Sequence, residues 1–142
     1  MNPAWSVVFF TVLAGFGQGL AVALAAAVLL GALAPDSPFL LRGLAVAIGL
    51  LGGGLASSFL HLGHPLRAWR AAAMWRTSWL SREVIVLPVF MGLLALWWLA
   101  VWRTAPAALL LWLPVLAIAG ALVLWFCTAM IYACIRFIQE WA

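Results

Sequence analysis

The chain has 142 residues, of which 69% are hydrophobic and only 7% charged. A water-soluble domain of this length needs far more polar surface, so the composition excludes a soluble globular fold. Seven arginines, no lysine and a net charge of +4 are too sparse for a nucleic-acid footprint and read as membrane topology.

The first apolar segment covers 5–34 and carries no charge; Gln18 is its one interruption. An amide near mid-span needs a hydrogen-bond partner, supplied by a neighbouring helix or by a quinone ring. Gly15 and Gly19 are four apart in "GFGQG", a spacing that lets helix backbones approach closely in lipid. "ALAPDSP" mimics a signal-peptidase site. The region before the run has no Lys or Arg, however, and the run is too long for a secretory h-region, so a retained span is expected. "PDSP" then reads as a tight turn, with Asp36 serving the turn or a cap.

The second span covers 43–62, with Gly49 and Gly53 again four apart. Gly63 and Pro65 stop it, and Pro65 can open a short interfacial helix over "PLRAWRAAAMW", with Trp69 and Trp75 at headgroup level. In "TSWLSRE", Ser81 is the expected cap of the third span, 84–102, and Glu83 falls in its first turn, where the helix dipole favours a carboxylate. The fourth span, 105–135, has Pro114 and Gly120 as bend points. Cys127 and Cys134, about 10 Å apart along a helix, are expected to be free thiols. The expected architecture is all-α: a single transmembrane domain forming a four-helix bundle, with one interfacial helix between spans two and three.

Four spans put both termini and the 60–83 connection on one side of the bilayer. That side holds Arg67, Arg70, Arg76, Arg82 and Arg136, against Arg42 and Arg103 on the other. The positive-inside rule then places the termini in the cytoplasm.

The titratable groups gather at one mouth, in "SSFLHLGHPLRAWR" and the arginines and glutamate that follow. His61 and His64 lie three apart on one side of a helix end, so they cannot ligate opposite faces of one haem. Zinc would need a third ligand, for which Glu83 is the nearby candidate. Neither a haem nor a metal is therefore expected in this chain. Proton-coupled redox chemistry remains: quinone reduction consumes two electrons and two protons, and histidine exchanges protons near neutral pH. An arginine nearby can stabilise an anionic form of the ring, while Phe59 and Leu62 can admit an isoprenoid tail. The alternative is that both histidines merely anchor the span at the interface.

Three stretches, "MNPAWSVVFFTVLAGFGQGL", "SSFLHLGHPLRAWRAAAMWRTSWLSRE" and "CTAMIYACIRFIQEW", resemble the membrane anchor subunit of the dimethyl sulfoxide reductase family, which includes the anchors of quinone-linked sulfite dehydrogenases. The resemblance implies a haem-free helical subunit of the bacterial inner membrane. Such a subunit tethers a molybdopterin catalytic subunit and a ferredoxin-like iron–sulfur subunit, and it forms a quinone or menaquinol site beside the nearest cluster. By motif match the family's quinol-site histidine falls on His61, with His64 beside it, and its acidic position on Glu83. Arg67 is assigned to the quinone site and to docking; Arg70, Arg76 and Arg82 are assigned to docking the partner. Family members normally have eight spans, and this chain resembles the N-terminal half. A second copy or another polypeptide would complete the bundle if the sequence is not a truncated one.

Three functions follow as alternatives: a quinone-binding anchor relaying electrons to an iron–sulfur subunit, a purely structural tether, or a small homo-oligomeric transporter. The transporter would need a polar site near mid-membrane, for which Gln18 is the candidate.

Overall fold

The computed structural model describes residues 5–59 and 73–134. His61, His64, Arg67, Arg70 and Arg136 lie outside the described residues, as do the side chain of Phe59 and most of the expected interfacial helix. Among the described residues the fold consists of four long helices, with no strand: α1 (Trp5–Leu29), α2 (Pro38–Phe59), α3 (Trp79–Trp102) and α4 (Ala107–Ala133). Each is long and apolar enough to cross a bilayer.

Local chemistry sets the ends. α1 stops at Leu29, five residues before the expected limit, because Gly31 turns into the left-handed region at φ 73° and Ala32 N–H closes on the Ala27 carbonyl. Ser37, rather than Asp36, caps α2: its Oγ accepts from the Leu40 N–H at 3.2 Å, and Pro38 takes the first helical position. Asp36 sits inside the turn closed by Ser37 N–H on the Ala34 carbonyl. The cap of α3 is Ser78, whose hydroxyl accepts from the Ser81 N–H, so the helix begins almost one turn earlier than expected. Ser81 is consequently buried inside α3, and Glu83 lies beyond the first turn.

The helices alternate in direction, each packing on the next, and α4 closes against α1. The centre is filled by Leu24, Leu40, Leu44, Leu51, Phe90, Leu94, Trp97 and Leu124. The backbones of α1 and α2 meet at glycines other than those the four-residue spacing singled out. A Cβ on Gly17 would sit 2.8 Å from Leu51 Cγ and 3.0 Å from the Ala47 carbonyl oxygen, and one on Gly54 would sit 3.2 Å from Ala14 N and Phe10 O. Gly15, Gly19 and Gly49 face open space, and Gly53 makes only ordinary contact with Leu13. Between α3 and α4, Gly120 makes room for the Phe90 ring, 3.0 Å from where its Cβ would be, within an unbroken helix that also contains Pro114.

One mouth of the bundle carries the ends of α1, α2, α3 and α4 nearest residues 5, 59, 79 and 133; the other carries the two short turns. At the second mouth Trp98 and Trp102 stack at 5.9 Å, and the Arg103 guanidinium lies 5.2 Å from the Trp102 ring, the chemistry of a headgroup belt.

Replacing Gly54 with leucine drives a side chain into the α1 backbone and should destabilise the bundle by about 1–3 kcal/mol. The same change at Gly19 should stay within about 0.5 kcal/mol. Denaturant titration of the detergent-solubilised protein, followed by helical circular dichroism, separates the two.

Candidate functional site

The first mouth holds the acidic group. Glu83 stands more than a turn inside α3, half-buried, and its Oε1 accepts a hydrogen bond of 2.7 Å from Thr128 Oγ1 on α4. The dipole explanation for Glu83 therefore gives way to a side-chain partner on a neighbouring helix. Thr128 Oγ1 also lies 3.1 Å from the Leu124 carbonyl of its own helix. A hydroxyl has one proton and can also accept. It can thus donate to an ionised Glu83, or donate to Leu124 and accept from a protonated Glu83. The pair can keep its hydrogen bond in either arrangement.

Beside this pair, between α1, α3 and α4, is a cavity of about 230 Å³ lined by Phe10, Thr11, Ala14, Gly15, Gln18, Glu83, Trp125 and Thr128. Gln18 is only 7% exposed and makes no hydrogen bond to any described residue, in place of the expected interhelical bond. Helical side chains lean towards the N-terminus of their helix, so Gln18 leans from α1 towards the mouth where Glu83 lies. The spacing rules that drew attention to Gln18 did not reveal that it shares a cavity with Glu83. Thr128 was not predicted at all, since a threonine in an apolar span carries no pattern of its own.

The arginines of this mouth behave differently from one another. The Arg82 side chain donates from Nε to the Trp75 carbonyl at 2.9 Å and from a terminal nitrogen to the Arg76 carbonyl at 3.2 Å, and it lies 4.0 Å from the centre of the Trp79 ring. Trp79 in turn meets Phe126 of α4 edge-on at 5.6 Å. Arg82 therefore clamps the turn that leads into α3. Arg76 is exposed and lies against Trp75, 5.3 Å from the ring centre, with no side-chain hydrogen bond to a described residue. Of the residues assigned to the quinone site, Glu83 alone is among the described residues; of those assigned to docking, Arg76 and Arg82 are.

The family description "DMSO reductase anchor subunit (DmsC)" matches residues 1–142. The C subunit of a sulfite dehydrogenase from Allochromatium vinosum is 49% identical over 99% of this chain and 48% of its own length. Two anaerobic dimethyl sulfoxide reductase proteins of Escherichia coli, the C chain and the YnfH chain, are each 32% identical, over 96% and 87% of the sequence and 48% and 44% of their own lengths. The chain spans about half the length of the curated relatives it matches. No solved structure matches it. With four membrane-crossing helices and a match over its whole length, the chain belongs to the DMSO reductase anchor subunit (DmsC) family, the membrane anchors of dimethyl sulfoxide reductase and sulfite dehydrogenase type complexes.

Proposed function

We propose that this anchor exchanges electrons between the membrane quinone pool and an iron–sulfur subunit docked at the Glu83 mouth, within a complex whose molybdopterin subunit performs the terminal chemistry. The observation that supports this most is the Glu83–Thr128 pair facing a cavity at the edge of an otherwise apolar bundle. An ionisable group at that depth implies function. A quinone needs such a group, because each ring that gains two electrons also takes two protons. Glu83 accepts or supplies one of them, and His61, which follows α2 in the sequence, is the partner assigned to the other. Arg76 and the arginines before it present positive charge to the docked subunit.

Identity of 49% to a sulfite dehydrogenase subunit, against 32% to the dimethyl sulfoxide reductase proteins, favours the sulfite type. In that reading electrons leave sulfite and reduce quinone to quinol, and the termini with the docking face lie in the cytoplasm. Quinone as exchangeable substrate is the only redox group this reading requires inside the anchor.

In the assembled complex, Glu83→Gln should lower quinone-linked turnover about a hundredfold or more, the loss expected for a general acid–base group. His61→Ala should also lower it, and undiminished turnover with intact subunits would remove His61 from the site. Thr128→Val should cost about tenfold or more, with Thr128→Ser retaining most activity, since a hydrogen bond to a charged group is lost only in the first. A purely structural tether would show none of these losses and would instead release its partners when Arg76 is replaced. Fusion of a fluorescent reporter to the C-terminus should be bright, and of alkaline phosphatase silent; the reverse would place the mouth on the periplasmic side.

A further inference from the structure

Resting on the quinone reading above, we propose that α1 supplies the rest of that site. Gln18 takes a polar edge of the ring, and the strip formed by Gly15, Gly19 and Ala23 takes the isoprenoid tail.

Three observations point this way. Gln18 is more than nine-tenths buried, offers two donors and an acceptor, and has no hydrogen-bond partner among the described residues. An amide at membrane depth needs a partner, and this one borders the same cavity as Glu83 and Thr128. At about 230 Å³ the cavity exceeds the roughly 150 Å³ that accommodates benzene. It therefore holds one substituted ring and leaves no room for a long tail as well.

The tail has an exit. The cavity shares Thr11 and Gly15 with an apolar groove of about 620 Å³ running along the outer face of α1, past Val12, Phe16, Gly19 and Ala23. A Cβ at Gly15 or Gly19 would meet nothing within 4 Å, so these glycines serve no contact within the described bundle. Together with Ala23 they fall at four-residue steps on one helix face, a floor about 18 Å long from Thr11 to Ala23. The Thr11 hydroxyl is turned back onto the Val7 and Val8 carbonyls of its own helix, leaving that floor apolar. A polar ring cavity opening onto a smooth apolar lane fits an amphiphile with a hydrogen-bonding head and a long hydrocarbon tail.

The experiment uses the whole complex in membranes, with a polyprenyl naphthoquinone and its tail-less dimethyl parent as acceptors. Gln18→Leu should raise KM for both by about three- to tenfold, the size of one lost hydrogen bond. Gly19→Phe should raise KM for the polyprenyl compound about tenfold more than for the parent. Gly92→Phe, on the outer face of α3, should move neither. A photoactivatable group on the tail should label residues 12–23. If Glu83→Gln impairs turnover while Gln18→Leu and Gly19→Phe do not, this assignment falls and the quinone reading stands; if Glu83→Gln is also silent, both fall. Loss of complex assembly in Gly19→Phe, or labelling displaced equally by phospholipid, would show the lane to seat another helix or an ordinary lipid, and either result overturns the assignment.

Discussion

A carboxylate in an apolar bundle must be held by something, and among the described residues the Thr128 hydroxyl holds it. The 2.7 Å contact between Thr128 and Glu83 joins α3 to α4 where α1 also arrives, and it turns the acidic group inward instead of letting it extend to the headgroups. Much of the rest of that mouth can be understood from this contact. Arg82, the residue beside Glu83, does not neutralise it: its guanidinium is held by two backbone carbonyls and the Trp79 ring, on the turn before α3. The adjacent positive and negative charges are thus kept in separate roles, one fixing the entry of the helix and the other facing the cavity.

That separation depends on where α3 begins. With Ser78 as cap, Trp79 enters the helix at its first residue and can meet Phe126, and Glu83 is carried to the level of Thr128. A start at Ser81 would leave Glu83 in the first turn, where its carboxylate would interact with free N–H groups and water. The difference of three residues decides whether the acidic group serves helix capping or the cavity.

The four spans, and the gathering of the termini and the 60–83 connection at one mouth, could be read from the sequence, because they depend on length, hydropathy and an even number of crossings. Which face of each span is buried could not be. In a soluble helix a polar stripe marks the solvent side, but here lipid-facing and core-facing positions are equally apolar, so no periodicity separates Gly17 from Gly15. Four-residue spacing selects Gly15 and Gly19, whereas close approach is made by Gly17 and Gly54, whose contacts lie on the other helix of the pair. Gln18 stood out as polar, and Glu83 as acidic. Their shared cavity was illegible because they are brought together by the closure of α1 on α4, a long-range contact no local pattern encodes.

The same limitation bears on the small-residue strip, whose glycines make no helix contact within the described bundle. Close packing of helices in lipid requires small residues, yet small residues on an outer face leave a groove that something apolar must fill. Within the described bundle, α1 uses one set of small residues for each purpose: Gly17 and Ala14 against α2, and Gly15, Gly19 and Ala23 outward. Because successive residues on a helix point about 100° apart, two such sets can interleave along one span without interfering. Gln18, between Gly17 and Gly19, sits at the border of the two faces, largely buried by the packing of the first and lining the cavity beside the second. A single helix can therefore brace the bundle and also line a cavity, and its most polar residue lies where those two faces meet.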